Sequence, residues 1–117
     1  MGTWGTAAWE NDAAADWFGS LFAQTGMAER VGETLENDRA AHEEWRAAAS
    51  ILASLGRVYV WPVGSLDRHL RLAIRRLEEI ETGGGGWRND EDGMEWRARI
   101  ETEIAVLSAR LRSGEGS

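Results

Sequence analysis

The chain contains no cysteine, no lysine, one proline and one tyrosine among its 117 residues. The absence of cysteine excludes a disulfide framework, a thiolate metal site and a cysteine nucleophile. No apolar run approaches the roughly 18 residues that a transmembrane helix needs. The first residues carry neither the basic segment nor the apolar stretch of a signal peptide. These absences exclude several enzyme classes and favour a cytoplasmic protein.

Carboxylates outnumber cationic side chains, with 20 Asp and Glu against 13 basic residues, all arginine. The formal net charge is −7 and the pI is about 4.8. Nucleic acids and anionic membranes are bound through basic surfaces, so we expect the chain to bind neither. A basic protein suits this charge better as a partner, while the oligomeric state is left open.

Tryptophan supplies most of the aromatic bulk, with seven Trp against two Phe and one Tyr. Hydrophobic residues make up 43% of the chain and charged residues 28%, which is ordinary for a globular protein. A chain of this length buries about 65% of its unfolded surface when it folds. We therefore expect a single domain, residues 1–117, in which indole rings fill the space between helices.

Apolar residues recur at helical spacing in most of the chain, which predicts an all-α domain of four main helices and one short helix. The predicted helices run from Ala13 to Gln24, from Met27 as a short helix, from Arg39 to Leu55, from Ser65 to Ile80, and from Met94 to Arg112. We expect Asn11 or Asp12, Asp38 and Ser65 to cap three of them. One continuous helix from residue 27 to residue 55 is the alternative. The strongest core stripe is Leu66, Leu70, Ala73, Leu77 and Ile80.

Four segments have no helical pattern. Residues 1–10 form a tryptophan-rich arm that we expect to be extended, and residues 57–63 an extended connector in which Pro62 disfavours a paired strand. Residues 82–93 form a flexible glycine-rich and acidic loop, and residues 113–117 a frayed tail. The four glycines from Gly83 to Gly86 lack the lysine and the preceding strand of a phosphate-binding loop, so they predict a hinge.

The opening MGTWGT, the aromatic Trp9 and the run ENDAAADW at residues 10–17 resemble the start of a bacterial group, domain-of-unknown-function family 4259. Members of that family typically open with a Gly-x-Trp-Gly element and an Asn-Asp-x-Ala-x-Asp helix start. Their alanine-rich helix often carries a glutamate where this chain has Ser50. The resemblance implies a small, mostly helical bacterial protein and implies no activity.

Histidine supplies the first candidate chemistry. Asp38 and His42 share a helix face and could provide two metal ligands, with His69 joining from a distance. The local sequence offers no further ligand, so we expect a surface histidine near a cap, no metal and no cofactor. None of the serines has the strand-turn-helix surroundings of a nucleophile elbow, so hydrolytic catalysis is not expected.

Charged residues supply the second candidate. Arg68, Arg71, Arg75 and Arg76 form an arginine ridge that could bind a phosphate or an acidic partner, or could pair with carboxylates of neighbouring helices. An acidic set stands close to the glycine hinge and comprises Glu78, Glu79, Glu81, Asp90, Glu91 and Asp92. Because adjacent residues on a helix diverge by about 100°, a solvated face also explains these carboxylates.

Two functions follow from these features. The first is a non-catalytic protein-binding factor, similar to an immunity protein or antitoxin, in which the acidic set meets a basic protein. The second is an enzyme or small-ligand-binding protein with a tryptophan-lined pocket of Trp4, Trp9 and Trp61, anchored by Arg68 or Arg71. The first is favoured because the sequence offers no recognisable nucleophile or metal set.

Overall fold

The computed structural model describes residues 11–57, 60–83 and 91–115. In those ranges the chain forms five α-helices and no β-strand, which confirms the all-α prediction. The helices are α1 (Asp12–Thr25), α2 (Met27–Glu36), α3 (His42–Leu55), α4 (Val63–Gly83) and α5 (Glu91–Glu115). The short helix is α2, and α2 and α3 are separate. The predicted arm of residues 1–10 lies outside the described residues.

Helices α3 and α4 form the centre of the core, since they pack against each other and each also packs against α2 and α5. The predicted stripe of α4 is buried throughout, from Leu66 at 7% exposed to Leu77 at 0%. Fully buried side chains from the other three helices meet this stripe: Leu35, Leu52, Ile100 and Leu107. Helix α1 packs against one other described helix, α2, and Phe22 is its one fully buried residue. Most of the surface of α1 therefore stays open.

The start and end of α1 follow from local chemistry. The Asn11 side chain accepts a hydrogen bond from the Ala14 N–H at 2.8 Å, so Asn11 is the cap of the two residues proposed. Gly26 ends the helix with a φ of +61°, in the left-handed region that favours glycine, and its N–H donates to the Phe22 carbonyl. The chain then reverses directly into α2.

The prediction that Asp38 caps the next helix is wrong. Helix α3 begins at His42, and the Glu44 carboxylate accepts the Ala41 N–H at 3.1 Å. Residues 37–40 form a turn in which the Ala40 N–H donates to the Asn37 carbonyl at 3.1 Å. The Asp38 side chain is turned toward α4, where it pairs with Arg76.

The segment before α4 is a turn in its described part. The N–H groups of Val60 and Trp61 both donate to the Arg57 carbonyl, at 3.0 and 2.9 Å, so these described residues of the predicted extended connector lie close together instead. The side chains of Val60 and Trp61 are buried. Helix α4 begins at Val63, so Ser65 lies inside it, and the Pro62 carbonyl accepts the Ser65 N–H at 3.2 Å.

Helices α4 and α5 extend into two segments predicted to be irregular. Residues 82 and 83 continue α4, residues 91–93 begin α5, and residues 113–115 continue it. A glycine costs only about 1 kcal/mol relative to alanine in a helix, and acidic residues favour a first helical turn, so local composition does not prevent this extension. Residues 84–90 lie outside the described residues. None of the described helices combines the length and apolar character needed to cross a membrane.

Candidate functional site

An apolar groove of about 440 Å³ lies between α1 and the turn that precedes α4. Its walls are Ala15, Gly19, Phe22, Ala23, Val60, Trp61 and Pro62. The rings of Phe22 and Trp61 meet edge to face with centroids 5.1 Å apart, which fixes one wall against the core. Trp17, on the same helix, is 61% exposed. The open surface of α1 thus combines a shaped depression with exposed aromatic area.

Two carboxylates complete the groove. Asp16 comes from α1 and Glu29 from the first turn of α2, and the reversal at Gly26 brings the two helices together. Among the described residues neither carboxylate makes a hydrogen bond or an ion pair. Hydrophobic periodicity does not predict that these two carboxylates border one groove, since the residues lie 13 positions apart on different helices. The available signal was the glycine that reverses the chain.

A buried pair lies behind the groove. The Trp61 indole N–H donates to Nδ1 of His69 at 3.1 Å, and both side chains are at most 2% exposed. Nδ1 can accept this bond only when it carries no proton, so the ring is neutral. A nitrogen of the Arg68 guanidinium lies 3.4 Å from Nε2 on the other side of the ring. Burial lowers the pKa of His69, and the charge of Arg68 lowers it further, while Glu36 and Glu29 oppose the shift.

Gly32 of α2 makes room for this histidine. A Cβ at position 32 would lie 2.5 Å from Nε2 of His69, so only glycine permits the close approach of α2 to α4. A pocket of about 230 Å³ opens beside the ring. Its charged lining consists of Glu29, Glu33, Glu36 and Arg68, and Arg68 forms an ion pair with Glu36.

Arg76 is buried at 3% exposed and ties the turn after α2 to α4. It donates to the Leu35 carbonyl at 2.7 Å, to Asp38 at 2.6 Å and to Glu79 at 2.8 Å. Its guanidinium also lies 4.3 Å from the centre of the Trp45 ring. Every one of these contacts is intramolecular, so Arg76 has a structural role.

The residues weighed as metal ligands have separate environments. Asp38 pairs with Arg76, whose hydrogen bond and charge lower the pKa of that carboxyl. The His42 ring stacks on Trp45 with centroids 5.2 Å apart. His69 is buried against Trp61. Within the described parts of the chain, no three acidic or histidine side chains are grouped for metal binding.

Three members of the arginine ridge lie along the exposed side of α4, where Arg68, Arg71 and Arg75 line an open groove of about 360 Å³. Arg68 pairs with Glu36 of α2, and Arg71 pairs with Asp67 at 2.9 Å. Arg75 is exposed, and its charge helps to lower the pKa of Asp38. The fourth member, Arg76, is buried, so the prediction that it belongs to this surface is wrong.

The acidic set is divided. Glu78 is exposed, and Glu79 is paired with Arg76. Burial raises the pKa of Glu81, and the hydrogen bond and charge of Glu101 raise it further. Glu91 and Asp92 stand in the first turn of α5, and Asp90 lies outside the described residues. Two of the three α4 carboxylates are thus engaged with other side chains.

Of the three tryptophans predicted to line a pocket, the structure describes only Trp61. Trp61 lines the apolar groove, whereas Trp4 and Trp9 lie outside the described residues. Arg68 and Arg71 line other surfaces, so the structure does not bring the proposed arginine anchor into the groove with Trp61. The charged groups that do border the groove are Asp16 and Glu29, which sequence reasoning missed.

Comparison with protein-family models, with curated proteins and with solved structures finds no match for this chain.

Proposed function

We propose that the chain is a non-catalytic protein-binding factor of the immunity or antitoxin type, which acts in the bacterial cytoplasm on a basic protein. The observation that carries this proposal is the edge formed by Asp16, Glu29 and Glu33. None of these three carboxylates makes a hydrogen bond or ion pair with a described residue. Asp16 and Glu29 border the apolar groove, and Glu33 lies one turn after Glu29 on α2, beside the neighbouring pocket, so charge and apolar area are available on one surface.

The arrangement of the arginines supports the same proposal. Several arginines form ion pairs within the chain: Arg46 with Glu103, Arg68 with Glu36, Arg71 with Asp67, and Arg76 with Asp38 and Glu79. Arg110 donates to the Ala53 carbonyl at 3.0 Å. These pairs neutralise carboxylates elsewhere, while the α1–α2 edge keeps the carboxylates of Asp16, Glu29 and Glu33 against one exposed arginine of α2, Arg30. A net charge of −7 then steers a basic protein toward this edge.

The experiment is affinity capture with the full chain from a lysate of the organism that encodes it, followed by reconstitution with the purified captured protein. The proposal expects a basic protein that forms a stoichiometric complex, measured by light scattering after size-exclusion chromatography. A charge-reduced variant, Asp16→Asn with Glu29→Gln and Glu33→Gln, should form this complex more weakly. Capture of no stoichiometric protein, or of one with an acidic surface, would contradict the proposal.

A further inference from the structure

The groove between α1 and the residue 60–62 turn has the dimensions and lining of a recognition pocket. Its volume of about 440 Å³ falls within the range of roughly 300–1,000 Å³ that is usual for binding pockets. Phe22 and Trp61 give it an aromatic wall that is anchored in the core and does not need to reorganise. Anchored apolar walls of this kind are where interface hot spots concentrate.

The negative charge at the groove favours an occupant with positive charge. Asp16 and Glu29 come from two different helices and border the same apolar space, so a bound apolar group would sit beside two carboxylates. A neutral or acidic occupant would desolvate these carboxylates without compensation, whereas a flanking guanidinium or ammonium would pair with them.

We propose that this groove binds a short segment of a basic protein in which one or two large apolar side chains are flanked by arginine or lysine. This inference rests on the proposed function and deepens it by naming the chemistry that the site recognises. The apolar side chain enters between Gly19 and Trp61, and the flanking cation pairs with Asp16 or Glu29.

Gly19 provides a substitution that blocks the groove without damaging the fold. It lines the groove in the middle of α1, and a Cβ added there meets no atom within 4 Å. Leucine at this position would project into the groove, and it also has a higher helix propensity than glycine. Gly64 is the matched control, since it is an exposed helical glycine of α4 whose added Cβ also meets nothing within 4 Å.

The test titrates the full chain with acetyl-Arg-Leu-Phe-Arg-amide and follows the indole N–H resonance of Trp61 by NMR, assigned with the variant Trp61→Phe. Two control peptides replace both arginines by glutamate, or replace Leu-Phe by Ala-Ala. We expect the first peptide to bind and both controls to bind at least about tenfold more weakly. Gly19→Leu should weaken binding about tenfold or more, while Gly64→Leu leaves it unchanged.

The double variant Asp16→Asn with Glu29→Gln should bind the arginine peptide about three- to tenfold more weakly at low salt. It should bind the glutamate peptide no more weakly than the natural chain does. Three results would each overturn the proposal: no binding at about 1 mM peptide, equal binding of the glutamate peptide, or binding that Gly19→Leu leaves intact.

Other occupants have their own signatures. Peptide binding that is absent in the natural chain and present in Trp4→Ala with Trp9→Ala would assign the groove to the chain's own N-terminal segment. A dimer in sedimentation experiments that Gly19→Leu dissociates would assign it to a second copy. Either result overturns this inference and leaves the proposed function standing. A captured basic protein that binds the Gly19→Leu variant as tightly as it binds the natural chain would likewise overturn this inference and leave the proposed function standing.

Discussion

Trp61 and His69 form a buried hydrogen bond of 3.1 Å that joins the turn before α4 to the core face of that helix. The bond requires a neutral histidine, because a doubly protonated ring has no acceptor for the indole N–H. The tryptophan of this pair also forms a wall of the apolar groove. The protonation of one buried side chain therefore bears on the stability of the turn that shapes the groove.

Acid should destabilise the fold through His69. Its folded pKa is lowered from the ordinary value of 6.5, so its contribution is present above that value and is lost as the pH falls through the folded pKa. The loss can reach about 1.4 kcal/mol per pH unit in this window. Urea unfolding of the natural chain at pH 7.5 and 5.5 measures it.

Two variants isolate the histidine in that experiment. His69→Gln keeps a carbonyl oxygen as acceptor for Trp61 and removes the titration, so its stability should change less between the two pH values. His42→Gln, at the exposed histidine, should behave like the natural chain. A natural chain that loses no more stability than His69→Gln would show that His69 does not titrate in this way.

Two helical glycines should respond to alanine with opposite signs. Gly32→Ala places a methyl group 2.5 Å from Nε2 of His69, and we expect a loss of about 1–3 kcal/mol from overpacking. Gly19→Ala meets no atom within 4 Å and should gain about 0.5–1 kcal/mol from helix propensity. Thermal unfolding of both variants is the measurement. A gain at Gly32 would contradict the packing described for α2 and α4, and a loss at Gly19 would contradict the open surface described there.

Arg76 should be far more sensitive than its neighbour Arg75. Arg76→Ala leaves the Leu35 carbonyl without its donor, removes the bonds to Asp38 and Glu79 and opens a cavity beside Trp45, which should cost about 2–4 kcal/mol. Arg75→Ala, at an exposed position on the same helix, should change stability by less than about 0.5 kcal/mol. Equal effects in urea unfolding would remove the structural role assigned to Arg76.

Glu81 should destabilise the fold at neutral pH. Its folded pKa is raised by burial and then by Glu101, so its contribution is present in acid and is lost as the pH rises through the folded pKa. Glu81→Gln should therefore stabilise the chain at pH 7 by up to about 1 kcal/mol, and this gain should disappear near pH 4. Glu78→Gln, at the exposed neighbour, is the control. A melting temperature that falls on Glu81→Gln at pH 7 would contradict this description.

Periodicity was sufficient for the helices and the core stripe, because both depend on local sequence. Leu70, Ala73 and Leu77 follow helical spacing, and the structure buries all three. The cap at Asp38 failed for a nonlocal reason, since its partner Arg76 lies 38 residues away on another helix. A carboxylate that could cap a helix is locally indistinguishable from one that pairs across the core.

The candidate site was harder to predict because it, too, is formed by residues that are far apart in the sequence. Asp16 and Glu29 border one groove only because the chain reverses at Gly26, and Trp61 reaches His69 from a turn that ends just before α4. Arg76 was grouped with the arginine ridge, yet it stands beside the core position Leu77 and is buried. Its place next to that stripe was the available signal.

The role of the acidic α1–α2 edge is tested most directly by the association rate of the captured basic protein, measured by surface plasmon resonance at low and high salt. Salt should slow association while dissociation changes much less. Asp16→Asn with Glu29→Gln should remove more of this salt dependence than Asp90→Asn with Glu91→Gln and Asp92→Asn. Association that is insensitive to salt in the natural chain, or that is lost only when Arg68, Arg71 and Arg75 are neutralised, would contradict the account and would point to an acidic or phosphorylated ligand.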